Sequence, residues 1–104
     1  MANIGVVSKD VITKTRIIEA LEEQGHSVTM ISSGVFDGGA FDQILVDLED
    51  PLALLTIKTH GQRCIAFGSA NDMDKLKQAE AMGCRKVVKH GEFFKKILPK
   101  FIVK

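Results

Sequence analysis

The sequence predicts an α/β fold with a parallel sheet and helices on both faces of the sheet. Three observations support this prediction. Five short segments rich in apolar residues are too short for helices and are typical of buried strands. Segments with apolar residues at helical spacing separate most of them. Glycine or proline marks the ends of many segments, and regular alternation of strands and helices favours right-handed crossovers within one parallel sheet.

The predicted strands have apolar centres and polar ends. The first, Ile4-Gly5-Val6-Val7, indicates a central strand that is buried on both faces. The third is the clearest, because the apolar run Ile44-Leu45-Val46 ends directly in Asp47. The five predicted strands are, in chain order, residues 4–7, 26–31, 42–47, 64–67 and 86–89.

The first predicted helix covers residues 10–24. Ser8 or Asp10 can cap its start, and Gly25 is well placed to end it. Three apolar residues fall on one stripe that would face the sheet, and they are Ile17, Ile18 and Leu21.

The connection between the second and third strands is rich in glycine instead of helical. Three glycines within residues 34–39 favour a loop with at most one or two helical turns. Phe36 and Phe41 are expected to hold this loop against the core. The second helix of the alternating pattern is therefore predicted to be short or absent.

Three further helices are predicted in the second half of the chain. Residues 51–59 begin with Pro51 in the first turn and end at Gly61. Residues 72–82 follow a cap at Asn71. The inner stripe of this helix is expected to contain Met73, Leu76, Ala79 and Met82.

The last predicted helix covers residues 91–98 and ends at Pro99. It carries Phe93 and Phe94, one of which is expected to point inward while the other stays partly exposed. The apolar tail 101–104 is expected to pack on this chain, where it would cover Phe94, or on a neighbouring molecule.

Composition limits the class of protein. The chain has 104 residues, 14 Lys plus Arg and 13 Asp plus Glu, for a net charge of +1. We expect a single domain over residues 1–104, and the balanced charge argues against a nucleic-acid-binding protein. The two cysteines suit buried thiols in a reducing cytoplasm. The start of the chain does not resemble a signal peptide and no apolar run could cross a membrane, so a cytoplasmic protein is expected.

Polar side chains gather where the predicted strands end. In an open parallel sheet, ligands and reactive groups gather at the carboxyl ends of the strands. An acid, a hydroxyl and a lysine at these ends predict an anionic site with a cationic partner. The residues concerned are Ser8, Lys9 and Asp10 after the first strand, Asp47, Glu49 and Asp50 at the third, Ser69 after the fourth and Lys89 at the fifth.

Several of these segments resemble the receiver domains of response regulators. Residues 41–51 are similar to the third strand of that family, where an acid accepts a phosphoryl group and a proline follows four residues later. Asp47 and Pro51 match this spacing. Ser69, followed by alanine, resembles the hydroxyl and small residue at the end of the fourth strand, and Lys89 resembles the lysine of the fifth. The resemblance spans nearly the whole chain and implies a flavodoxin-like, receiver-like sheet with strand order 2-1-3-4-5.

The sequence departs from the family at the metal site. Receivers place two acids after the first strand to help hold magnesium, and here Ser8 and Lys9 stand at those positions. A divalent cation prefers carboxylate oxygens, and phosphoryl transfer depends on the charge it supplies. His90 also replaces the usual proline after the lysine, and Lys86 stands at the aromatic switch position. These departures favour a degenerate, or pseudo-receiver, domain.

The first functional hypothesis is a non-enzymatic interaction module in two-component signal transduction that works without metal-dependent phosphorylation and needs no cofactor. Its partner would be a histidine kinase, a signalling output protein or a second copy of the chain. The last strand and its flanking helices would form the interface, with Lys86, Phe93 and Phe94 as candidates. Asp47 would then be a structural acid that forms a salt bridge with Lys9 or hydrogen bonds with Ser69 and Lys89.

The alternative is a functional phosphoacceptor in a phosphorelay. Asp47 would be phosphorylated, Ser69 and Lys89 would relay the signal, and Mg²⁺ would be held by Asp47, Asp10 and Glu49. A third hypothesis is a small-molecule binder that uses the crevice at the strand ends.

Overall fold

The computed structural model describes residues 2–32 and 36–101, and these residues form a five-stranded parallel sheet. The strand order is β2-β1-β3-β4-β5, which confirms the predicted flavodoxin-like topology. The strands are β1 (Asn3–Val7), β2 (Ser27–Met30), β3 (Gln43–Asp47), β4 (Cys64–Gly68) and β5 (Lys86–Lys89).

Helical segments follow four of the five strands, and the last segment is irregular. The regular helices are α1 (Val11–Glu23), α2 (Ala53–His60) and α3 (Met73–Ala81). The last segment, α4, covers residues 90–100 and combines an α-helical turn (His90–Glu92), a π-helical turn (Phe93–Ile97) and a 3₁₀ turn (Leu98–Lys100). It therefore extends beyond Pro99, where the sequence predicted its end. None of the helices in the described ranges is both long and apolar enough to cross a bilayer.

The helices cover both faces of the sheet, as the sequence predicted. Side chains alternate between the faces along each strand, so that Val6 and Leu45 contact one core while Val7 and Val46 contact the other. The first core packs against α1 and α4 through Ile17, Leu21, Phe93 and Leu98. The second core packs against α2 and α3 through Ala53, Ile57, Leu76 and Ala79. Every residue of β3 and β4 is buried, because these strands lie inside the sheet with helices above and below.

Local capping explains where the helices begin and end. The Asp10 carboxylate accepts a hydrogen bond from Thr13 N at 3.0 Å and caps α1. Gly25 follows the end of α1 with a φ of 87°, a conformation that an L-residue with a side chain rarely adopts. Asp72 caps α3, whereas the sequence predicted Asn71 as the cap. The prediction for Met73 was also wrong, because its side chain is 46% exposed in the first turn of α3.

The connection between β2 and β3 contains one 3₁₀ turn, Gly38–Ala40, in the part that is described. Residues 33–35 of the predicted glycine-rich loop lie outside the described residues, as do residues 102–104 of the tail. Phe36 and Phe41 both pack against the second core, as expected. The ring of Phe36 lies 6.1 Å from that of Phe41 and 4.7 Å from that of His60.

Candidate functional site

Asp47 is a buried acid at the carboxyl end of the central strand β3. Its side chain is 6% exposed, and that of Ser8 is 5% exposed. Ser8 Oγ donates a hydrogen bond to Asp47 Oδ2 at 2.9 Å, and Glu49 N donates to Asp47 Oδ1 at 3.0 Å. Each carboxylate oxygen therefore has a partner within the chain, as buried polar groups require.

The register of the sheet explains why Ser8 is the partner of Asp47. Val7 pairs with Val46 across the β1–β3 ladder, so the next residue on each strand, Ser8 and Asp47, lie opposite each other. Lys9 follows one residue later and is exposed. The salt bridge between Lys9 and Asp47 that the sequence suggested is not formed among residues 2–32 and 36–101.

Ser69 and Lys89, which were expected to relay phosphorylation of Asp47 or to form hydrogen bonds with it, do not contact it through hydrogen bonds or ion pairs in the described ranges. Ser69 Oγ accepts a hydrogen bond from Asn71 N at 3.1 Å within the turn that leads to α3. Lys89 is exposed at the end of β5. Within the described ranges neither residue forms a hydrogen bond or an ion pair with Asp47, so the predicted polar cluster around this acid is replaced by the contact with Ser8.

The other acids near this edge, which could help to bind a metal ion, contact other groups of the chain instead. Asp10 caps α1, and hydrogen bonds from Thr13, first from its hydroxyl and then from its N–H, hold the pKa of Asp10 below its usual value. Glu49 forms a 3.2 Å ion pair with Lys75 on the exposed side of α3. Asp50 Oδ1 accepts from Leu52 N at 2.8 Å.

The donor set at this edge does not fit a magnesium ion. Mg²⁺ prefers several oxygen ligands in octahedral geometry, chiefly carboxylates and waters. Here one buried carboxylate is paired with a serine hydroxyl, and the Asp47, Asp10 and Glu49 set proposed for an active site is not assembled. In the described part of the chain, no group of three His, Cys, Asp or Glu side chains is placed to hold a metal.

The aromatic residues of α4 divide between core and surface. Phe93 is fully buried and stacks on Phe67 with 4.3 Å between ring centroids. It offers no surface to a partner, which corrects its selection as an interface residue. Phe94 is partly buried, and the Arg16 guanidinium lies 4.0 Å from its ring centroid. Arg16 on α1 thus covers part of Phe94, and residues 102–104 of the tail, which the sequence offered as a cover for this ring, lie outside the described residues. Lys86 is exposed at the start of β5.

Exposed apolar side chains lie in the first turns of the helices that follow β1, β3 and β4, and none of them was among the interface candidates predicted from the sequence. Each regular helix begins near the end of the strand before it, so the first turns of α1, α2 and α3 lie at this edge. The exposed apolar residues in these turns are Val11, Ile12, Leu54, Leu55 and Met73. Val11 and Ile12 are 65% and 73% exposed. Their exposure was predictable, because both residues directly follow the capping residue Asp10 and so lie in the first turn of α1.

Comparison with known proteins identifies the fold. No family model matches the sequence, and no curated protein matches it. Solved structures do match, and the similar ones include a response regulator receiver domain from Clostridium thermocellum, with a TM-score of 0.72 and 17% identity over 86% of this chain and 82% of that chain. The chain has the receiver fold.

Two further receiver domains give similar values. The receiver domain of TorR, the response regulator of the TMAO respiratory system, has a TM-score of 0.70 and 21% identity, over 86% of this chain and 84% of that chain. The BeF3-activated DrrB receiver domain has a TM-score of 0.69 and 17% identity, over 95% and 88%. At 17–21% identity, these three comparisons show a shared fold.

Proposed function

We propose that this chain is a receiver-like signalling domain that acts through protein–protein contact and not through metal-dependent phosphorylation. The observation that carries the proposal is the state of Asp47. Both of its oxygens accept hydrogen bonds within the chain, and Ser8 and Lys9 stand where a metal site would need acids. The acid then stabilises the strand ends instead of presenting a nucleophile to a phosphodonor.

The surface around Asp47 supports a role in contact with another protein. Exposed apolar side chains on the first turns of three helices share this edge of the sheet. Apolar groups clustered on a surface are typical of interaction sites. The proposal moves the interface from the last strand and α4 to this edge, since Phe93 is buried and Arg16 covers Phe94. A histidine kinase or a signalling output protein remains the proposed class of partner.

Chemical phosphorylation tests the first half of the proposal. The protein is incubated with acetyl phosphate and magnesium, and its intact mass is followed beside that of Asp47→Asn. We expect no gain of a phosphoryl group in either protein. A gain in the natural protein that Asp47→Asn abolishes would favour the phosphoacceptor hypothesis, since Asp47 does lie at the end of the central strand. A receiver with an intact acidic pair serves as the control for the donor.

Proximity labelling in the source cells tests the second half. We expect Ile12→Ser to lose the labelled partner and Asp47→Asn to keep it, because contact depends on the apolar edge and not on a modified acid. Ile12 is 73% exposed, so Ile12→Ser should leave the melting temperature nearly unchanged, and this measurement controls for general loss of stability. The proposal would be contradicted if Ile12→Ser still labelled the partner while Asp47→Asn did not.

A further inference from the structure

A second polar site lies at the opposite edge of the sheet, where the strands begin. A cavity of about 270 Å³ is bounded by the first residues of β3 and β5 and by the end of α4. Its wall includes Gln43 at the start of β3, Lys86 at the start of β5 and Phe101 after α4. This cavity lies away from Asp47, which is at the other end of β3.

The cavity has a strongly positive wall. Arg85, Lys86, Lys96 and Lys100 line it, and no acidic residue does. All four of these basic residues are exposed, and none of them forms an ion pair with an acid in the described part of the chain. Like charges held close together repel one another, so an anion placed between them would be stabilised by all four.

Gln43 provides a second and independent sign of a ligand. It is 2% exposed, and its Oε1 is the buried side-chain oxygen that lacks a hydrogen-bond partner among the atoms the structure describes. A buried oxygen without a hydrogen-bond partner destabilises the fold, and buried polar groups normally have partners. An amide in this position can accept a hydrogen bond from a ligand through Oε1 and can donate one through Nε2.

We propose that this cavity binds a small ligand with two or more negative charges on phosphate or carboxylate groups. Arg85 suits such a group, since a guanidinium binds planar oxyanions with two parallel hydrogen bonds, and the three lysines add charge. A hydroxyl of the ligand, such as that of citrate or of monohydrogen pyrophosphate, donates to Gln43 Oε1. The volume suits a compact molecule of the size of pyrophosphate or citrate, below the usual range for drug-sized ligands.

Titration with two anions tests the proposal and separates the two sources of negative charge. Pyrophosphate and citrate are added to the ¹⁵N-labelled protein at low ionic strength, and the amide resonances are followed. We expect saturable shifts at Gln43, Lys86 and Phe101 with at least one anion. Tighter binding of pyrophosphate indicates a phosphate ligand, and tighter binding of citrate indicates a carboxylate ligand.

Matched variants decide whether the cavity is the site. Lys96→Ala/Lys100→Ala is expected to weaken binding at least tenfold, while Lys77→Ala/Lys95→Ala, which removes the same charge from outside the cavity, changes it less than twofold. Gln43→Leu is expected to weaken binding while raising the melting temperature, because it removes a buried oxygen without a hydrogen-bond partner. Equal losses in the two lysine pairs would overturn the proposal, and so would binding of a poly-glutamate peptide with neither small anion bound.

Discussion

The hydrogen bond between Ser8 and Asp47 leads to a quantitative prediction. Ser8→Ala removes the donor to Asp47 Oδ2 and leaves a carboxylate oxygen buried, since the Asp47 side chain is only 6% exposed. A hydrogen bond to a charged group contributes about 1.5–3 kcal/mol, and the loss is at the upper end when the remaining atom stays buried. We therefore expect Ser8→Ala to lower the free energy of unfolding by about 2–3 kcal/mol at neutral pH.

Urea denaturation followed by circular dichroism measures this change. Ser69→Ala is a matched control, because it also removes a hydroxyl at a strand end. Ser69 Oγ accepts a hydrogen bond from Asn71 N in an exposed turn, so its loss should cost less than about 1 kcal/mol. Thermal unfolding gives an independent value, at roughly 4–8 °C for each kcal/mol in a domain of this size.

A double-mutant cycle isolates the contact from other effects of the substitution. In an Asp47→Asn background the partner of Ser8 is neutral, so Ser8→Ala should cost only about 0.5–1.5 kcal/mol. The difference between the two backgrounds is the charge-dependent part of the contact. If Ser8→Ala costs no more than Ser69→Ala, or the same in both backgrounds, Ser8 does not stabilise the Asp47 carboxylate and the central argument for the site fails.

Other perturbations test the packing and the thiols. Phe93→Ala should cost about 3–5 kcal/mol by thermal unfolding, and Phe94→Ala clearly less, because Phe93 is fully buried while Phe94 is partly exposed. Gly25→Ala should cost about 1 kcal/mol in urea denaturation through backbone strain alone, since nothing lies within 4 Å of the added methyl group. Burial raises the pKa of Cys64 to about 12 and also raises the pKa of Cys84. Because Cys84 is partly exposed while Cys64 is buried, iodoacetamide at pH 8 should modify Cys84 first, as mass spectrometry would detect, and equal rates would contradict this order.

The sheet was predictable because its signals are local and strong. Apolar strands that are buried on both faces, a capping acid at Asp10 and a glycine at the end of α1 each act within a few residues of sequence. The start of α3 was harder to predict, because Asn71 and Asp72 are both good caps. Because Asp72 is the cap, α3 begins at Met73, and the side chain of this residue lies at the strand-end edge, outside the core.

The partners within the site depend on register, which a single sequence does not specify. Ser8 and Lys9 are neighbours, and either could approach Asp47 if only the strand ends were known. The β1–β3 ladder places Ser8 opposite Asp47 and leaves Lys9 exposed. The burial of Gln43 is a similar case. A polar residue at the start of a strand is expected to be exposed, but β3 lies inside the sheet and the end of α4 covers this edge.

The two proposed sites occupy opposite ends of the same short strand. Gln43 and Asp47 are the first and last residues of β3, which separates them by roughly 13 Å at the usual rise per residue. Substitutions at that distance without shared partners normally have additive effects on stability. Gln43→Leu therefore probes the basic cavity without disturbing the hydrogen bonds of Asp47, and Ser8→Ala probes the acid without disturbing the cavity. The near-neutral net charge of +1 is consistent with both sites, because it averages over the whole chain and does not describe the four basic side chains that meet at one edge.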